Sequence, residues 1–162
     1  MAPHGAERLV ALVAEEGALL VGVGHPLRGD DAVGSLVAAR LAERFPGRVI
    51  DAGPVPESYF GPLAAVPGRP VVFIDAALIG QQPGSWALAG SDALAAHAPD
   101  THRGSLRLLA ELLHEKKVPT WVLGIAPASL DAGALLSPPV AQTADALVSL
   151  LSAALAERPV HA

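Results

Sequence analysis

Two adjacent carboxylates, Asp30 and Asp31, follow the glycine-rich segment Gly22-Val-Gly-His-Pro-Leu-Arg-Gly29, and two more aspartates, Asp51 and Asp75, close short apolar runs downstream. Acids in such places can cap a helix, hold a cation or move a proton. Helix capping is the common use of an Asp pair: one carboxylate bonds free amides and its neighbour favours the positive end of the helix dipole. One of the pair can cap while the other projects outward. Asp75 ends an apolar strand, so its carboxylate starts from a partly buried position, suited to a local amide bond, a metal ion or a shifted pKa.

The other ionisable candidates are histidines. His4 and His161 lie near the termini, and His114 belongs to the segment HEKK, which lacks the second His of a zincin. His97 and His102 flank the loop HAPDTH, and His25 sits inside the glycine-rich loop. The chain has no cysteine, which excludes thiolate metal sites, a disulfide framework and a cysteine nucleophile. No G-x-S-x-G elbow is present, so a serine hydrolase has no support.

The glycine-rich loop invites a rival reading as a dinucleotide site, because it follows a strand, opens a helix and precedes an Asp at the end of the second strand. Its glycines do not fit G-x-G-x-x-G, the third standing two positions late. Two carboxylates also occupy the helix start where a pyrophosphate needs bare amides. Fixed negative charge there attracts a cation instead.

The elements that must position these groups read as alternating strands and helices. Glu7–Glu15 is an amphipathic helix with Leu9, Val10, Leu12 and Val13 on its apolar side. Ala18–Val23 and Pro70–Asp75 are apolar runs of the kind buried in a sheet covered by helices, Arg48–Asp51 is a short second strand, Thr120–Ile125 is the last strand, and Ser85–Ala89 is a weaker, edge-type strand. A helix starts near Asp30 or Asp31 and carries Val33, Leu36, Val37, Leu41 and Phe45. Further helices are expected over Glu57–Val66, Gly104–Glu115 (with Leu106, Leu109, Leu112 and Leu113 inward) and Val140–Leu155. The fold class is therefore α/β: a single three-layer domain over residues 1–162, core about 18–156, with a mostly parallel twisted sheet of about five strands and helices on both faces. Ligands of such sheets gather at the carboxyl ends of the strands, so Asp30, Asp31, Asp51 and Asp75 are expected along one rim.

Composition agrees. At 162 residues, 51% hydrophobic and 17% charged, the chain suits one domain with a substantial core. A net charge of −5 speaks against nucleic acid as a partner. The run Gly17–Val23 is too short to span a membrane, and no basic start of a signal peptide precedes it, so a cytoplasmic protein with no membrane partner is expected.

Taken in order, GVGHPLRGDDAVG, DAGPVPES, FIDA followed by PGS, THRGSL, and LGIAP with the downstream LSPPV resemble the hydrogenase maturation protease family, the M52-type nickel-dependent endopeptidases, with PES after DAG leaning toward the hydrogenase 3-like branch. The likeness runs from about Leu19 to Leu155. It implies an endopeptidase that removes a short C-terminal peptide from the nickel-loaded precursor of a [NiFe]-hydrogenase large subunit, acting as a monomer. It also implies a catalytic, metal-ligating set of Asp31, Asp75 and His102, with Asp30 a further candidate base. The nickel is that of the precursor, held weakly by the free protein. The family usually has Asn where this chain has His25, and Gly where it has Ala32. His25 could add a nitrogen ligand or brace its loop, and bracing is favoured because Pro26 stiffens the segment. Two other classes remain as alternatives: a noncatalytic nickel-sensing maturation chaperone, and a nucleotide-binding α/β domain.

Overall fold

The computed structural model describes residues 3–79, 82–91, 100–133 and 135–157, with the side chains of 3, 4 and 100–105 outside the description. The described helices are α1 (Pro3–Ala14), α2 (Val33–Ala42), α3 (Phe60–Ala64), α4 (Asp100–Glu115) and α5 (Pro138–Ala156). The strands are β1 (Leu19–Val23), β2 (Val49–Gly53), β3 (Val71–Ala76), β4 (Trp86–Gly90) and β5 (Thr120–Ile125). They form a five-stranded sheet in the order β2-β1-β3-β5-β4. β1 pairs parallel with β2 and β3, β3 pairs parallel with β5, and only the β4–β5 pairing is antiparallel. β4 is thus an edge strand, as its weak pattern suggests.

β1 and β3 are buried at every position because helices cover both faces, which is why their sequences read as unbroken apolar runs. Leu20, Val72, Ile74, Leu123 and Ile125 point to one face, against Leu9 and Leu12 of α1, Val37 and Leu41 of α2, and Leu147 and Leu151 of α5. Their strand neighbours Val21, Phe73 and Val122 point to the other, against Leu63 of α3 and Leu106, Leu109 and Leu113 of α4. By length and composition α5 could cross a membrane, but Val140, Ala144, Leu147, Leu151, Ala154 and Leu155 spend its apolar stripe on this core.

Two helix positions depart from the periodic reading: Leu36 and Leu112 are each 37% exposed, at the outer margin of their apolar stripes. Helix α2 begins later than its acids suggest, at Val33, because Gly29–Ala32 forms a separate 3₁₀ turn. The α2–sheet contact is made by glycine. A Cβ on Gly34 would sit 1.8 Å from the carbonyl oxygen of Ile74, and one on Gly22 would sit 2.2 Å from that of Gly34. Helix and sheet backbones touch here, and this close approach sets where the preceding 3₁₀ turn meets the strand ends.

Candidate active site

Asp31 lies in the 3₁₀ turn after β1, and Asp75 is the penultimate residue of β3. Both are buried, 2% and 1% exposed. Asp31 Oδ2 accepts the His25 backbone N–H at 3.0 Å. Asp75 Oδ1 accepts the N–H of Ala76 at 2.8 Å, whereas its Oδ2 is buried without a hydrogen-bond partner. Burial pushes the Asp75 carboxyl well above the ordinary carboxylate range, and the nearby charge of Asp31 pushes it further, against the smaller downward pull of the Ala76 amide. A buried carboxylate oxygen with no donor, beside a second carboxylate, is an arrangement short of positive charge.

The backbone around Asp31 is built for closeness. A Cβ on Gly24, whose φ is +156°, would fall 2.0 Å from the Asp31 carbonyl oxygen, so only glycine lets the loop fold back over the 3₁₀ turn. His25 Nδ1 accepts the N–H of Leu27 at 3.1 Å, so its ring braces the loop, as the stiff Pro26 segment suggests.

Asp30, the neighbour, does different work. Its carboxylate accepts hydrogen bonds from the N–H groups of Ala128 (2.8 Å), Ser129 (3.1 Å) and Ser137 (2.7 Å) and from the Ser137 hydroxyl (2.8 Å), while its own N–H donates to the Ser129 carbonyl at 2.9 Å. Burial alone would raise its proton affinity, but the bonds from Ser137, Ala128 and Ser129 outweigh that and lower its pKa. Ser137 is the N-cap of α5. Asp30 therefore clamps the β5–α5 connection to the β1 loop, instead of capping its own helix, whose Arg28 and Ala32 caps carry no side-chain bond. No local pattern announces a partner 107 residues away.

Asp51 stands at the same carboxyl edge but on the other face of the sheet. It pairs in register with Gly22, which faces α2, and accepts the Ser35 hydroxyl of α2 and the Gly53 N–H. Asp75, one residue beyond Ile74, faces the opposite side with Phe73, toward α3 and α4. Strand alternation puts the two on different faces. Asp31 and Asp75 come together at the rim, the Asp30 carboxylate is turned to the β5–α5 connection, and Asp51 is tied to α2.

The side chain of His102 lies outside the described residues, as do those of His4, His97 and His161. Its backbone belongs to the first turn of α4, one turn before Leu106 and in line with Leu106, Leu109 and Leu113, which pack on Phe73 and Val21. Because α4 leads into β5, which runs parallel to β3, its first turn lies at the carboxyl end of the sheet, on the face to which Asp75 points.

The loop's amides are committed internally. The N–H groups of Gly24, His25, Leu27, Arg28, Asp30 and Asp31 donate to Gly53, the Asp31 carboxylate, the His25 ring, the His25 carbonyl, Ser129 and Arg28 respectively. A phosphate cradle needs such amides turned outward, so the nucleotide reading loses its physical basis. A concavity of about 550 Å³ between α1, α5 and β4, lined by Ala6, Pro83, Trp86, Pro139 and Leu147 among others, has no ionisable side chain among the described residues of its wall.

The fold is an α/β domain whose mostly parallel sheet carries Asp31 and Asp75, both buried, at its carboxyl edge, where sheets of this kind take their ligands. A family model described as hydrogenase maturation protease (HycI) matches residues 33–154. The chain belongs to the hydrogenase maturation protease family, and its role is that of an endopeptidase in hydrogenase maturation. The [NiFe] hydrogenase maturation protease HycI of Thermococcus kodakarensis KOD1 shares 29% identity at a TM-score of 0.75, covering 91% of this chain and 98% of that one. The endopeptidase HycI of Escherichia coli, at 24% identity and TM-score 0.72 over 86% and 92% of the two chains, has the same fold. A putative hydrogenase maturation protease of Methanocaldococcus jannaschii is 27% identical over 124 residues, 70% of this chain and 73% of that protein.

Proposed function

We propose that this enzyme removes a C-terminal peptide from the nickel-loaded precursor of a [NiFe]-hydrogenase large subunit in the cytoplasm, with Asp31, Asp75 and His102 receiving the precursor's nickel. The observation that carries the reading is the unpartnered, buried Oδ2 of Asp75 beside Asp31. Two carboxylates and an imidazole suit a borderline divalent ion and leave positions open for ligands from the substrate. The ion, when bound, would supply Lewis acidity to the hydrolysis.

Peptide hydrolysis also needs a base to take the proton of water as its oxygen attacks the carbonyl carbon, and an acid to return a proton to the departing amine as the C–N bond breaks. Asp31 and Asp75 are the groups suited to this, Asp75 because burial and the charge of Asp31 raise its proton affinity. Asp30 is a poorer base: its carboxylate is held by four hydrogen bonds and its pKa is lowered. The free protein, lacking thiolates, holds nickel weakly.

Mass spectrometry of the precursor's C-terminus, after incubation with wild-type enzyme and with Asp31→Asn, Asp75→Asn and His102→Ala, tests the reading. The expected result is a shortened C-terminus with wild type only. An unchanged length in every sample would leave a noncatalytic nickel-sensing chaperone, and normal processing by the three variants would refute the site.

A further inference from the structure

Three loops at the carboxyl edge of the sheet are laced together around Asp31. The loop carrying Leu27 accepts the Gly133 N–H on the Leu27 carbonyl at 2.7 Å, and the Gly24 N–H donates to Gly53 at 2.9 Å. Each of these loops presents an apolar side chain to solvent: Leu27 is 67% exposed, Val55 45% and Leu135 90%. Exposed apolar side chains are ordinary when scattered, but these three stand on loops hydrogen-bonded to one another beside one buried acid.

We propose that Leu27, Leu135 and Val55 form the docking lip for an apolar segment of the large-subunit precursor, an inference that rests on the functional reading above. Asp31 is 2% exposed and its Oδ2 is held by the same loop that carries Leu27, so that loop stands beside any polypeptide that reaches this acid. The charge around the lip specifies the occupant further. Asp51, Glu57 and Asp131 are exposed on these segments, and the half-buried Arg28 is the basic residue among them. The segment that fits is apolar at its centre and neutral to basic at its margin. Asp30 acts here as a positioning residue, since its bonds to Ala128, Ser129 and Ser137 fix the connection that carries Leu135.

The test uses the full chain and purified precursor. Leu27→Ser, Leu135→Ser and the double variant are compared with wild type and with Val66→Ser, a similarly exposed position (44%) before β3 at the opposite edge of the sheet. Precursor binding is measured by biolayer interferometry and processing by C-terminal mass. The double variant should bind precursor about tenfold more weakly and show KM raised by a similar factor, with kcat within about twofold and an unchanged melting temperature. Val66→Ser should match wild type. Wild-type affinity in the double variant, a loss confined to kcat, or a wild-type dimer in sedimentation that the leucine changes dissociate would each overturn the lip. Precursor that wild type binds through these leucines but never cuts would instead overturn the processing reading and leave the lip standing.

Discussion

Asp75→Asn should stabilise the free protein while abolishing its processing activity. Asp75 is 1% exposed, one of its oxygens has a single amide partner, the other has none, and Asp31 adds like charge. Asparagine keeps the shape, still accepts the Ala76 N–H, and offers an amide donor in place of the orphaned oxygen. A buried ionisable group without partners costs on the order of 1–3 kcal/mol, so a gain of about 2 kcal/mol is expected at pH 7.5. For a domain of this size that corresponds to roughly 4–8 °C in melting temperature.

The pH dependence follows with a definite sign. In the folded chain burial keeps the proton on Asp75 well above the ordinary range, whereas the unfolded chain releases it near pH ~4. The native state then holds more protons across that window, so wild-type stability falls as pH rises. Asp75→Asn removes this slope, and the two proteins converge as pH drops toward about 4. Urea titrations of chelator-treated protein between pH 4 and 8 measure both quantities. A variant no more stable than wild type at pH 7.5, or one with a parallel pH profile, would refute the picture of an uncompensated buried acid.

Asp30→Ala leaves three part-buried amides and a hydroxyl without their acceptor, and should cost about 2–3 kcal/mol in urea unfolding. Because the Asp30 pKa is lowered, its stabilisation is present above the ordinary Asp value and lost as pH falls through the folded one; Asp30→Asn should flatten that acid limb. Gly34→Ala places a Cβ 1.8 Å from a sheet carbonyl and should cost more than about 4 kcal/mol, read as loss of folded protein by circular dichroism. His25→Asn, whose amide oxygen can replace Nδ1 as acceptor for the Leu27 N–H, should process precursor within about twofold of wild type, a change of less than roughly 0.5 kcal/mol.

Most of the fold was legible in the sequence because burial on two faces writes itself as an unbroken apolar run and burial on one face as a 3.6-residue stripe. β1 and β3 were readable on the first ground, α1 and α4 on the second. Leu112, read as inward, is partly exposed because a stripe's margin looks the same in sequence whether or not a neighbour covers it. The order of motifs from GVGHPLRGDDAVG to LSPPV indicated the family, while the residues alone left Asp31 and Asp75 open between capping, metal binding and proton transfer.

What the sequence determined by itself was local: which runs are strands, where glycine permits a reversal, and that acids stand at strand ends. Which acids meet, and what each then does, was decided only by tertiary structure. Alternation sent Asp51 to the α2 face and Asp75 to the α4 face, and the long-range amides of Ala128, Ser129 and Ser137 claimed Asp30. Asp31 and Asp75, adjacent in space but 44 positions apart in the chain, acquired their mutual repulsion only when the helix–sheet contact at Gly22 and Gly34 drew the 3₁₀ turn against the end of β3. Electrostatic coupling depends on distance through the fold, and distance along the chain does not carry it.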